Sequence, residues 1–273
     1  FVDRAARPPS MASCLTSCQL LPFWASPAHL SGGGRSRAWP ALSAIASERN
    51  SGRRFGLTRT NLALLLLGAG GAFERKAMAA PMRAVEKPKS AIVLLHGSGD
   101  SGEGLRRYLE FVDGGELLEN WRASGVELHF PDSGMRPYSL AGGRRMSIWY
   151  DRTGLPPSAP ESTESVEDSV KVLSELLNKL KSKGIPPERI AVGGFSMGGG
   201  IALQLALRHP EAMGAVFVLS SFMCDDAAVY KSLNAEKLNS TKWPAILMVH
   251  GQNDDFIMSS WGHATAQRLQ QTL

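Results

Sequence analysis

Five short apolar runs punctuate the chain beyond residue 90, and each is separated from the next by a stretch long enough to hold a helix. They fall at 91–95 (AIVLL), 126–130 (VELHF), 189–192 (RIAV), 215–219 (AVFVL) and 245–249 (AILMV). Runs this short and this continuously apolar suit strands buried on both faces. Strands joined by crossovers of helical length lie parallel, because a tight hairpin cannot connect them. The pattern therefore predicts an α/β fold, a mostly parallel sheet with helices on both faces. One helix is legible in detail: between 163 and 183, Val166, Val170, Leu173, Leu177 and Leu180 recur at three- and four-residue steps, while Glu167, Asp168, Lys171, Lys179 and Lys181 fill the opposite face. Gly184 follows as a C-terminal cap, and Pro186 prevents continuation. The segments 133–145 and 155–160 read as long loops over one edge of the sheet, where such folds place their substrate contacts.

The charge of the 273-residue chain, +5, would suggest an anionic partner if it were spread evenly. It is not. Residues 1–77 hold ten Lys/Arg against three acids, a net +7, and the remainder holds twenty bases against twenty-two acids, a net −2. Nucleic-acid binding by the folded part thereby loses its electrostatic support. Three cysteines, Cys14, Cys18 and Cys224, cannot supply a disulfide framework for a domain of this size, and none stands at a metal-ligand spacing from a histidine. Residues 78–273 are expected to form one domain, preceded by a leader over 1–77.

The leader begins with Phe rather than Met, and both Met11 and Met78 can initiate translation. From Met11 it is rich in Ser, Ala, Gly and Arg; it then shows Arg53-Arg54, an apolar run over 62–73, and an AxA-like site at Ala77-Met78-Ala79. That order resembles a bipartite plastid signal ending in a twin-arginine export segment for the thylakoid lumen. The run is well short of the ~20 residues that span a bilayer, so no permanent membrane anchor is expected. The other reading is a start at Met78 and a cytoplasmic protein.

The chemistry centres on Gly194-Phe195-Ser196-Met197-Gly198, which follows one apolar run and opens a helical one through Ile201, Leu205 and Ala206. A GxSxG in that setting puts the serine on a sharp strand-to-helix turn, where bulk at either flanking position would collide with the strand or the helix. The turn exposes the hydroxyl at the positive end of the helix dipole, beside amides that can hold a developing anion. Ser196 is the expected nucleophile. His96-Gly97-Ser98-Gly99-Asp100-Ser101-Gly102 follows the first run, and a glycine-rich turn there can bring the Ser98 amide to the same oxygen, with the Met197 amide as second donor. It lacks the Lys-Ser/Thr ending of a phosphate loop, and His96 reads as a turn-packing residue rather than a base. After the last run comes His250-Gly251-Gln252-Asn253-Asp254-Asp255, where Asp254, or failing it Asp255, occupies the place of an orienting carboxylate in the order Ser, Asp, His.

These segments, VLLHGSGDSG, PDSGMRPYSLAGGRRMSIWYDR, GGFSMGGG and HGQNDD, resemble their counterparts in acyl-protein thioesterases and the related lysophospholipase-like carboxylesterases, from about residue 91 to 273. Ser98 and Met197 stand where the thioesterases usually carry Leu and Gln, which makes the lysophospholipase-like branch the nearer match. The resemblance implies an α/β-hydrolase fold and hydrolysis, without a cofactor, of acyl esters or thioesters, the substrate being an acylated protein or a small acyl ester such as a lysophospholipid. It also implies that Trp149 lines the substrate cleft. In one respect the sequence departs from the pattern: the family's catalytic histidine lies after a further helix and strand, and only nineteen residues follow Asp254. His263 falls inside the helix expected over 259–273, too early for that loop. The expectation is thus a hydrolase domain truncated at its C-terminus, nearly inactive as it stands and with one sheet edge unpaired. The alternative is an inactive acyl-binding or interaction module.

Overall fold

The computed structural model describes residues 18–21, 88–233, 238 and 242–273. The signal-like features at 53–54, 62–73 and 77–79 lie outside the described residues. In chain order the elements are β1 (Cys18–Leu21), β2 (Ser90–Leu95), α1 (Gly102–Asp113), α2 (Glu116–Ala123), β3 (Val126–His129), β4 (Met135–Tyr138), β5 (Arg144–Ser147), α3 (Thr163–Ser182), β6 (Ile190–Phe195), α4 (Met197–Arg208), β7 (Ala215–Leu219), α5 (Ala228–Ser232), β8 (Ala245–Gly251) and α6 (Ser259–Thr272). All five expected strands are present. They form one sheet in the order β1-β8-β7-β6-β2-β3, parallel throughout except at β1.

Alternation along each strand sends side chains to two separate cores. Val93, Leu95, Val192, Val216, Val218, Ile246 and Met248 pack on one face with the buried residues of α3, α4 and α6. Ile92, Leu94 and Ala191 pack on the other with Leu105 of α1, flanked by Leu109, Trp121 and Phe217. Both faces of the central strands are therefore dry, which is why their sequences are continuously apolar instead of alternating. Helix α3 behaves as its periodicity predicts: Val166, Leu173, Leu177 and Leu180 are buried, Ser162 caps it by accepting from the Ser165 amide, and Gly184 follows its end at φ 93°.

Two expectations are corrected. The segment 133–145 is not a plain loop; most of it builds the antiparallel pair β4–β5, closed by a short 3-10 turn at Ser139–Ala141 with Gly142 and Gly143 at positive φ. The β8 edge is not unpaired either. Cys18–Leu21 lies antiparallel along it, from Cys18 opposite Gly251 to Leu21 opposite Met248, so a segment assigned to the leader takes up the ladder hydrogen bonds of the last parallel strand.

Candidate active site

Ser196 is the single residue between β6 and α4, with φ 53° and ψ −124°. That pair lies in none of the regions allowed to an L-residue and costs of order 1–3 kcal/mol. The surroundings impose it. The Ser196 amide donates to Leu219 O at 2.9 Å, and its carbonyl accepts from the Gly199 amide at 2.9 Å, so the residue is tied to β7 on one side and to the helix on the other. The neighbouring glycines leave no alternative. A Cβ on Gly194 would stand 2.2 Å from the Gly198 carbonyl carbon, and one on Gly198 would stand 2.2 Å from Leu95 O and 2.6 Å from His96 O. Strand, turn and helix are packed backbone against backbone, and the half-exposed Ser196 is presented at the apex.

The turn after β2 is pressed onto the same apex: a Cβ on Gly97 would lie 3.5 Å from the Ser196 Cβ. Neither the Ser98 amide nor the Met197 amide hydrogen-bonds to another described group, so both remain available to an acyl oxygen. The turn itself is fixed from three directions. Buried His96 accepts from the Ser133 amide at Nε2 (3.1 Å), which leaves the ring proton on Nδ1, 2.7 Å from Gly97 O. Burial holds the imidazole below its ordinary pKa of 6.5, against the pull of Gly97 O, Asp100 and Asp132, so the neutral ring that can accept from Ser133 is the form present at pH 7. The Gly99 amide donates to Ser147 O of β5 at 2.7 Å. The Trp149 indole donates to His96 O at 2.9 Å and its ring lies 5.1 Å from the His96 ring. Trp149 is 1% exposed, so the expectation that it lines the substrate cleft is corrected: it pins the turn from inside the core. Trp149 follows closely on β5, whose Ser147 carbonyl holds the Gly99 amide, and the sequence did not reveal that strand.

Asp254 is buried beyond the end of β8. Its Oδ1 accepts from the Ile257 amide at 2.9 Å and the Phe256 amide at 3.2 Å, while Oδ2 is fully buried with no hydrogen-bond partner among the described residues. His250 Nε2 stands 3.6 Å from that oxygen, but donates to Ile257 O at 2.7 Å; burial lowers its pKa despite the Ile257 carbonyl and Asp254, which favour the charged ring. On the other side of the ring Gly262 of α6 makes room, since a Cβ there would come within 2.5 Å of Nδ1. Asp255 is exposed and makes no such bonds. The other described histidines are engaged elsewhere, His129 with Glu127, His209 with Glu211 and His263 with Ser259 O. Among the described residues, no histidine hydrogen-bonds to Ser196, and no three His, Cys, Asp or Glu side chains are placed to hold a metal ion.

A narrow crevice, too tight in this conformation to hold a water molecule, lies beside Ser196, flanked by Tyr150, Arg152, Ser220, Phe222 and Ile257. Ser220 belongs to no motif and Arg152, the last residue of the segment PDSGMRPYSLAGGRRMSIWYDR, was given no role by the sequence; the two meet here only through the packing of the segment after β5 against the end of β7. A strained serine, two amides without a described partner and a buried carboxylate thus gather at the C-terminal ends of β2, β6 and β8. Residues 80–273 match the family described as Phospholipase/Carboxylesterase. The chain belongs to that family.

Its curated relatives include lysophospholipase-like protein 1 of Mus musculus, 34% identical over 181 residues, 66% of this chain and 72% of that protein. They also include acyl-protein thioesterase 1 of Emericella nidulans, 32% identical over 196 residues, 67% and 77% respectively. Among solved structures, Arabidopsis thaliana SOBER1 superposes with a TM-score of 0.52 at 22% identity, covering 67% of this chain and 83% of its own. Zea mays acyl-protein thioesterase 2 gives 0.52 at 24%, covering 70% and 83%. These likenesses show the α/β-hydrolase fold, and family membership makes the chain an ester or thioester hydrolase by descent. No helix among the described residues is long and apolar enough to cross a membrane.

Proposed function

We propose that the chain is a serine carboxylesterase or thioesterase in which Ser196 forms the acyl-enzyme. The observation that carries this is the forced backbone of Ser196, at φ 53° between β6 and α4. A strain of that kind persists at a turn only where surroundings hold it, and here it presents the hydroxyl to two unbonded amides. Ser196 Oγ attacks the acyl carbonyl, and the amides of Ser98 and Met197 stabilise the tetrahedral oxyanion. Asp254 Oδ2 accepts from the Nδ1–H of a histidine whose Nε2 takes the serine proton and returns it to the leaving alcohol or thiol. Water then releases the acid. None of the five described histidines reaches Ser196, so the base comes from outside the described residues, and these residues alone would turn over slowly. The substrate is an acylated protein or a small acyl ester.

Fluorophosphonate labelling and p-nitrophenyl ester turnover test this on the chain, on S196A and on D254N, each with and without added imidazole, and on a chain extended past Leu273. Labelling should be slow in the chain, faster with imidazole or in the extended form, and absent from S196A. Labelling that survives S196A, or its absence under all of these conditions, would overturn the reading.

A further inference from the structure

Arg152 is 4% exposed and lines the crevice that holds Ser196. Its surroundings do not neutralise it. The one hydrogen bond it makes among the described residues runs from Nε to the Tyr138 hydroxyl, at a long 3.4 Å, and its guanidinium carbon lies 5.4 Å from the Phe222 ring centroid. No described carboxylate stands within 4.0 Å of it. Glu161, its partner in a backbone bridge, spends its carboxylate on Gln204 Nε2 at 2.5 Å and the Ala228 amide at 3.4 Å. Tyr150 and Cys224 stay neutral beside it, burial raising the phenol and pushing the thiol up to about 12. A guanidinium cannot shed its proton to escape burial, so a lone one is costly unless an anion completes it.

A second group in the crevice points the same way. Ser220 is 1% exposed, its Oγ is fully buried with no hydrogen-bond partner among the described residues, and its backbone is held at φ 45° at the end of β7 by the bond from its amide to Val249 O. Two buried donors, one with a single long bond and one with no described partner, thus line one small space beside Ser196. That space is closed in this conformation even to a water molecule, quite unlike a pocket that engulfs a drug-sized ligand, and a cation and hydroxyls stand in its walls beside Met197, Phe222 and Ile257, so an anion enters it only as those walls part.

We propose that Arg152 and Ser220 form a recognition site for an oxyanion carried by the substrate, so that the preferred esters bear a carboxylate or phosphate group a few atoms from the carbonyl attacked by Ser196. This rests on the serine-hydrolase reading of Ser196. The fork of the guanidinium matches the paired oxygens of either anion, and binding satisfies both donors at once. Arg152 is then a specificity residue, fixing which acyl group is placed against the nucleophile.

The test has a binding arm and a turnover arm. In the first, glutarate and inorganic phosphate are titrated separately into the S196A chain by calorimetry, and then into S196A carrying R152M, R152K or S220A. Saturable binding by glutarate, phosphate or both, weakened about 10- to 100-fold by R152M and less by S220A, supports the site and identifies the anion. In the second, mono-p-nitrophenyl glutarate is compared with neutral p-nitrophenyl butyrate in the imidazole-supplemented chain; the anionic ester should be favoured about 10-fold or more in kcat/KM, the preference vanishing in R152M. If R152M does not fold, R152K and S220A decide, since both leave the packing nearly unchanged. Binding of neither anion, or turnover of both esters at equal rates, overturns the oxyanion site and leaves the hydrolase standing. Anion binding that needs Arg152, without Ser196 labelling in any form, sinks the hydrolase reading instead.

Discussion

Replacing Ser196 by glycine should abolish the nucleophile and make the protein more stable. The serine sits at φ 53° and ψ −124°, a pair that a residue without Cβ adopts freely. Releasing the strain returns about 1–3 kcal/mol, while the added freedom of a glycine in the unfolded chain takes back roughly 0.5–1 kcal/mol. The Ser196 side chain makes no hydrogen bond to any described residue, so little else is lost. The net gain is about 1 kcal/mol, or ~3 °C in Tm for a domain of this size. S196A is the control, because it removes the same hydroxyl but keeps Cβ and the strain; its stability should stay within about 0.5 kcal/mol of the parent. Urea unfolding followed by tryptophan fluorescence measures both, a higher midpoint at unchanged slope reporting a true gain. If S196G proves no more stable than S196A, the turn is not strained and the assignment of the nucleophile loses its physical basis.

Three further outcomes are expected. Gly198→Ala should cost about 3 kcal/mol, the upper end for overpacking, because the new methyl would meet two backbone carbonyls, whereas Gly142→Ala, at φ 67° with nothing within 4 Å, should cost about 1 kcal/mol by the same unfolding assay. Trp149→Phe keeps the buried ring but withdraws the donor from His96 O; an expected loss of about 1–3 kcal/mol should come with slower fluorophosphonate labelling that still depends on Ser196, and unchanged labelling would show that the indole does not position the turn. His96 and His250 both have folded pKa values below 6.5, so below that pH the unfolded chain takes up protons that the folded one refuses. Stability should be fully present above about pH 6.5 and fall as pH drops, by up to about 1.4 kcal/mol per pH unit for each histidine, until the folded pKa values are reached; H96Q should remove one share of that slope between pH 6.5 and 5.5.

Local signals in the sequence were enough for the frame and for the sharp turn at Ser196. Continuous apolar runs identify strands that are dry on both faces, three- and four-residue spacing identifies α3, and glycines on both sides of Ser196 identify a turn too tight for side chains; each is a property of neighbours in the chain. What depended on distant neighbours was not legible. The β4–β5 pair is too short and too polar to announce itself, with Met135 and Arg144 exposed, and without it the place of Trp149 beneath the His96 turn cannot be derived. Asp254 and Asp255 are equivalent as letters, and only the fold buries one of them over the Phe256 and Ile257 amides. Arg152 and Ser220 lie 68 residues apart with no shared motif, and their common feature, burial in the walls of one crevice, exists only once the chain has closed around them. The sequence by itself determined which backbone could form and where the strained turn at Ser196 had to stand, because propensity and sterics act between adjacent residues. Which polar groups lost their water was decided by tertiary packing, since desolvation is a property of everything that surrounds a group.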